Sequence, residues 1–276
     1  MNASSNNYFE IITPSIIRGQ IHQALFDFDG TISLIREGWQ GIMIPMMVDI
    51  LMKTPCHESE SELVELVTNF VHRLTGKQTI YQMIRLTEEI RLRDGNSLTP
   101  LEYKWMYLER MAAHIEKRVK GLEHGKVQPE ELIVPGAIDM LHTLKARGVT
   151  CYLASGTDDV FVSKEAAALK VDHYFSGIYG ARDDYQNFSK KMVIDTILRE
   201  NQLSGPELVA FGDGYVEIED THLAGGVTVG VASNEATRQG IDEWKRKRLI
   251  DAGADIIIPD FRHHEQLVSY LFEEGR

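Results

Sequence analysis

Two aspartates, Asp27 and Asp29, bracket a phenylalanine in the run Asp27-Phe28-Asp29-Gly30-Thr31. While the chain is extended, residues two apart point to the same side, so both carboxylates share one face. They follow the apolar run Ala24-Leu25-Phe26, which has the character of a buried strand. At the end of such a strand the pair meets in a cleft and repels unless a cation sits nearby. Gly30 allows a sharp backbone turn there. These residue types suit a hard-cation site in which one carboxylate attacks an electrophile or shuttles a proton. Taken alone, they also suit an ordinary surface turn, since Asp and Gly are common turn residues.

The elements that must position this pair come from a chain of 276 residues with a formal charge of −12. That length suits one sizeable α/β core with an added module. The acidic balance argues against nucleic acid or an anionic membrane as partner. No apolar run is long enough to span a bilayer. The N-terminal residues lack the basic-then-apolar order of a secretory signal. Cys56 and Cys151 form no metal or redox motif and read as free thiols of a reducing, cytoplasmic setting.

The first twenty residues are polar and irregular, with no chemistry assigned. After the first strand, which runs to Phe28, four helical patterns fill the chain: about Trp39–Lys53, Ser59–Leu74, Thr79–Arg93 and Pro100–Leu122. Met43, Met46, Met47, Met52, Trp105 and Tyr107 read as the core of this bundle. From Val134 onward, strands and helices alternate. Strands are expected at Val149–Ala154, Tyr174–Tyr179, Leu208–Phe211, Val227–Val231 and Ala254–Ile258. Helices are expected from Pro135-Gly136 to Arg147, and at Asp158–Leu169, Ser189–Asn201, about Glu235–Ala252 and Arg262–Phe272. Such alternation predicts an α/β, doubly wound, mostly parallel Rossmann-like sheet with an inserted all-α block. The expected units are residues 1–33 with 133–276, and residues 34–132, joined near Ser33–Gly38 and Leu132–Gly136.

In an open parallel sheet, ligands bind beyond the carboxyl ends of the strands. Four polar features fall there: Asp27 with Asp29, Ser155-Gly156-Thr157, Lys190, and Gly212-Asp213-Gly214. A Ser hydroxyl with backbone N–H groups at a helix start cradles an anion. Lys190 supplies a cation, and its helical spacing to Val193, Ile194 and Ile197 places it on the buried side, with Lys191 turned away. Asp213 adds a carboxylate for Mg²⁺. If the ligand is a phosphate ester, Asp27 is then placed to attack phosphorus, and Asp29 to exchange protons with the leaving group and with water. The Thr75–Thr79 stretch between two helices reads as a C-cap glycine and a new start. Lys77 and Gln78 on it, and Arg36, are also candidates for substrate contact. The Trp244–Arg248 run, WKRKR, reads as a solvated basic face.

Together DFDGT (27–31), ASGT (154–157), SKK (189–191) and FGDG (211–214) resemble motifs I to IV of the haloacid dehalogenase-like superfamily. The helical block stands where that superfamily carries a cap, between motifs I and II. The resemblance implies Asp27 as nucleophile and Asp29 as acid/base, with Ser155, Gly156, Thr31 and Lys190 around the transferring phosphoryl group. It implies Mg²⁺ held by Asp27, the main-chain carbonyl of Asp29, and Asp213. Where the family pattern carries a further Asp in motif IV, this chain has Glu217, able to act through a water or a longer reach. Glu219 and Asp220 are its rivals. The expected activity is a Mg²⁺-dependent phosphomonoesterase acting on a small ester, such as a sugar phosphate or phosphoglycolate, through an aspartyl-phosphate. A phosphomutase or phosphotransferase with the same chemistry is the alternative, and a non-catalytic ligand-binding module is another of a different class.

Overall fold

The computed structural model describes residues 8–272, so residues 1–7 of the polar N-terminal stretch lie outside the described residues. The sheet has seven strands. Their spatial order is β1 (Glu10–Ile11), β7 (Ile256–Ile258), β6 (Val227–Val231), β5 (Leu208–Gly212), β2 (Gln23–Phe26), β3 (Thr150–Asp158) and β4 (Phe175–Ala181). All neighbours pair in parallel except β1, which runs antiparallel to β7. The central strand β2 is buried throughout. Its side chains alternate between faces: Ala24 and Phe26 enter one core, Leu25 the other. The ring of Phe26 stacks on Phe211 from β5 at 4.6 Å.

Helices cover both faces, as a doubly wound sheet requires. Met140, Leu141 and Leu144 of α5 (Ala137–Ala146), Val162 and Ala166 of α6 (Asp159–Ala168), and Leu267, Val268 and Leu271 of α10 (His264–Phe272) join Phe26. Val193, Ile194 and Ile197 of α7 (Lys190–Glu200) join Leu25. Ile218 of α8 (Tyr215–Leu223) and Leu249 of α9 (Glu243–Asp251) pack with Ile257.

Strand β1 forms within the N-terminal stretch read as irregular, where Glu10 and Ile11 pair with Ile257 and Ile256, and two helices also depart from the sequence pattern. Helix α8 forms where none is expected, because its acidic sequence shows little apolar periodicity. Joining parallel β5 to β6 nevertheless needs a crossover, and Glu217 starts the helix by accepting the Gly214 N–H at 2.9 Å. The expected helix over 235–252 begins only at Glu243, capped by Asp242, which accepts from Lys245 N at 3.0 Å. Arg238 and Gly240 before it have left-handed backbone, which breaks any helix.

The block between β2 and β3 contains α1 (Gln40–Leu51), α2 (Glu60–Leu74), α3 (Thr79–Leu92) and α4 (Pro100–Glu123). Ser59 with Glu62, and Thr99 with Glu102, form capping boxes that start α2 and α4. Met43, Met46 and Met47 are buried in the core, as their pattern predicts. Trp105 is not: it is 48% exposed, because the buried stripe of α4 runs through Tyr103, Lys104, Tyr107, Leu108 and Met111. The two connections lie side by side, with Leu34 N donating to Leu132 O at 2.8 Å and Val134 N to Ile32 O at 3.0 Å. Arg118 braces one of them by donating to Ile35 O and Glu37 O at 2.7 and 2.9 Å.

Both cysteines are free, Cys56 exposed and Cys151 buried. The Cys56 thiol donates to Asp94 at 3.4 Å, and this bond and the Asp94 charge raise its pKa. Burial pushes Cys151 up to about 12. A disulfide-exchange reagent at pH 8 is therefore expected to label Cys56 alone, and slowly, in the native protein. Cys151 should react only after denaturation. Fast labelling of both in native protein would contradict the packing of β3. No helix among the described residues is long and apolar enough to cross a membrane.

Candidate active site

Strand register brings the site together. Phe26 lies opposite Leu153 on β3 and Phe211 on β5, so β2, β3 and β5 run level there. Strands β2 and β5 end at about that point, and β3 continues past the expected Ala154 to Asp158. Asp27 follows the first, Ser155 lies near the end of the second, and Asp213 follows the third. The Asp27 N–H donates to Phe211 O at 2.9 Å, carrying the pairing one residue past β2. Gly30 then turns with φ +76°, and a Cβ there would lie 2.2 Å from Asp213 Oδ2. Glycine is needed on both counts.

Two buried ammonium groups answer the carboxylates. Lys190 Nζ lies 2.8 Å from Asp27 Oδ1 and 2.7 Å from Glu217 Oε2. Lys190 is the first residue of α7, which Ser189 caps by accepting from Met192 N at 3.1 Å. Lys245 Nζ lies 2.8 Å from Asp213 Oδ2 and 2.6 Å from Glu235 Oε1. Burial alone would lower both lysines, but their paired carboxylates reverse this and hold them well above the ordinary value. Burial raises Asp27 well above the usual carboxylate range, with Lys190 opposing and Glu217 and Asp213 adding to the rise. Burial also pushes Asp29 up to about 6, opposed by Arg36.

Asp29 Oδ2 accepts from Thr157 Oγ1 at 2.7 Å, whereas Oδ1 is buried with no hydrogen-bond partner among the described residues. Ser155 Oγ accepts from Thr157 N at 3.0 Å. Arg36 lies beside Asp29 but is held by Glu165 on α6, with Nε and Nη2 both donating to the carboxylate at 2.7–3.2 Å. These groups surround a cavity of about 100 Å³. Met43, Lys77 and Tyr107 close it from the helical block.

Of the residues singled out from sequence, Asp27, Asp29, Ser155, Gly156, Lys190, Asp213, Lys77 and Arg36 line this cavity. Lys191 faces outward near Asp195, at 3.6 Å. Glu217 sits behind Lys190, with one oxygen on that lysine and the other on the Gly214 N–H. Thr31 does not reach the cavity. It is fully buried, and its hydroxyl accepts from Asp213 N at 3.0 Å, tying the first motif to the fourth. Gln78 also points elsewhere, donating to Phe188 O at 2.7 Å and Tyr185 O at 3.3 Å.

The basic run at 244–248 is not a solvated face. Lys245 enters the site, Arg248 reaches α2, and Arg246 pairs with Glu10 at 2.7 Å. Lys247 stays in solvent. A string of lysines and arginines at helical spacing carries no sign of which one turns inward. Lys245 and Glu165 carry no site signal in the sequence, because Asp213 and Arg36, which they answer, lie far along the chain; Glu235 joins the site only through Lys245.

The donor set suits a hard divalent cation. Oxygens of Asp27, Asp213 and Glu217 lie within 4.8 Å of one another, the first two at the cavity wall. Carboxylate oxygens are what Mg²⁺ takes alongside water and phosphate.

Residues 21–219 match the haloacid dehalogenase-like hydrolase family. The chain belongs to this family. No curated protein matches the sequence. Among solved structures, the hydrolase resembles a predicted phosphoglycolate phosphatase from Haemophilus somnus 129PT. The TM-score is 0.60 at 18% identity, covering 90% of this chain and 98% of that one. It also resembles a predicted phosphatase from Clostridium acetobutylicum, with TM-score 0.58 and 17% identity over 90% and 99% of the two chains. A third likeness is to β-phosphoglucomutase from Clostridium difficile, with TM-score 0.54 and 15% identity over 84% and 98%. At such identities these likenesses show the shared fold of the hydrolase.

Proposed function

We propose that this hydrolase is a Mg²⁺-dependent phosphomonoesterase acting on a small phosphorylated metabolite, such as a sugar phosphate or phosphoglycolate. The observation that carries the reading is Lys190 at 2.8 Å from Asp27, in one cavity with Asp29 and Ser155. Among the described residues, 8–33 and 133–272 form the catalytic α/β unit, and residues 34–132 act as its cap.

Asp27 attacks phosphorus, and the bond to the leaving oxygen breaks as the aspartyl-phosphate forms. Asp29 gives its proton to that oxygen; a carboxyl raised to about 6 holds a proton more readily than an ordinary one. In the second half Asp29 takes a proton from water, whose oxygen attacks phosphorus. Inorganic phosphate leaves and Asp27 is restored. Lys190, the Ser155 hydroxyl and the Gly156 backbone bind the phosphoryl oxygens. Asp27, Asp213 and the Asp29 main-chain carbonyl would hold Mg²⁺, with Glu217 acting through water. When bound, Mg²⁺ neutralises charge between the carboxylates and the phosphate. The closed cap excludes water and limits the size of the ester.

Phosphate release from p-nitrophenyl phosphate and a panel of sugar, glycolate and nucleotide phosphates tests the proposal. EDTA is expected to remove activity by at least about 100-fold, consistent with loss of several kcal/mol of charge stabilisation, and added Mg²⁺ to restore it. Mg²⁺ at about 100 times its Kd should also stabilise the fold by about 2.7 kcal/mol, read as a rise in Tm. Isomerised sugar phosphate without phosphate release would move the assignment to a phosphomutase. A ligand that raises Tm with no ester turned over would move it to a binding module.

A further inference from the structure

The turn Thr75-Gly76-Lys77 reaches the cavity from the helical block. It rests on the segment directly after Asp213. Gly76 has φ +94°, and a Cβ there would lie 3.3 Å from Gly214 Cα and 3.4 Å from Tyr215 N. Backbone thus lies close against backbone, without a side chain between them.

One side chain from the α/β unit holds that seat. Arg248 on α9 donates through Nη1 to His72 O at 2.6 Å, and through Nη2 to Arg73 O at 3.0 Å and Thr75 O at 2.9 Å. These carbonyls lie at the C-terminal end of α2, where a helix leaves acceptors unpaired and carries the negative end of its dipole. The guanidinium lies over two rings, Tyr215 at 4.5 Å and Trp244 at 5.2 Å. Among the described residues no carboxylate forms an ion pair with it. Its planar fork and aromatic stacking suit arginine and not lysine. Tyr215 directly follows Gly214, so Arg248 binds both surfaces that meet at Gly76.

We infer that Arg248 is a positioning residue that docks the end of α2, and with it the Thr75–Lys77 turn, against the Asp213 loop. It touches no reacting atom. It acts by holding the cavity wall that carries Lys77. A ligand's apparent affinity falls in proportion to the fraction of molecules in the competent form. Loss of Arg248 therefore weakens binding of substrates that contact the turn and leaves the chemistry of the closed form intact. This kinetic consequence rests on the phosphatase reading; the docking itself does not.

Hydrogen exchange and kinetics on Arg248→Met and Arg248→Lys test the inference. Without substrate, Arg248→Met is expected to speed exchange of the Thr75 and Lys77 amides, which close turns onto His72 O and Leu74 O. Exchange in β2 and β5 should stay as in the parent protein. Arg248→Lys should recover part of the protection, because charge is kept and the fork is lost. With the best ester from the panel, Arg248→Met should raise KM by about 10- to 100-fold, with kcat held within about threefold. Unchanged exchange at the turn, or protection lost equally in β2 and β5, would overturn the inference. So would a fall in kcat at constant KM. The exchange arm needs no substrate, so it decides the docking even if no phosphate ester is turned over.

Discussion

Asp27→Asn is expected to lower phosphate release by on the order of 10⁴-fold or more, the scale on which loss of a nucleophile acts. The substitution keeps the shape of the side chain and removes the charge of the oxygen proposed to attack. Two features indicate that the fold survives. The Asp27 backbone still donates to Phe211 O at 2.9 Å, and Lys190 still has Glu217 at 2.7 Å. Circular dichroism and Tm close to the parent protein would show this directly. Single-turnover assays with radiolabelled ester should then detect no covalent phosphoenzyme. Parent-level turnover by the folded variant would rule out covalent catalysis through Asp27.

Lys190→Ala is expected to damage stability and activity together. Its ammonium lies between Asp27 and Glu217, and all three side chains are almost wholly buried. Removing one partner leaves two carboxylates facing each other without compensation. Breaking a buried ion pair in this way costs about 3–5 kcal/mol. For a chain of this size that is a fall of roughly 10 °C in Tm. Losing a preorganised cation at the proposed phosphoryl site should reduce kcat by roughly 10²–10³-fold as well. A Lys190→Ala protein with unchanged Tm would mean that the two carboxylates are not held together as described. In contrast, Lys191→Ala should change neither quantity measurably, because its pairing with Asp195 is exposed.

The parts of the site legible in sequence were those tied to local pattern. An apolar run followed by Asp-Phe-Asp-Gly-Thr marks a strand end, and the phase of Val193, Ile194 and Ile197 selects Lys190 over Lys191. The paired capping residues of α2 and α4 mark helix starts in the same local way. Thr31 and Gln78 were harder. Both sit beside chemistry in the chain, but their side chains serve neighbouring backbone, at Asp213 N and at Phe188 O. Helix α8 leaves no periodic trace in the sequence because its first turn depends on a capping carboxylate and a required crossover, not on apolar spacing.

By itself the sequence determined the α/β alternation, the helical block within it, and the kinds of group available at the strand ends. Periodicity and capping are local, and each can be read within one turn or one strand. Tertiary structure alone decided that Lys245 answers Asp213, that Glu165 holds Arg36 beside Asp29, and that Arg248 seats the end of α2. Each of these joins groups far apart in the chain. Such pairings follow from strand register and from which helix face meets the sheet. A run of basic residues carries neither, so its sequence does not say which charge is buried and which stays in water.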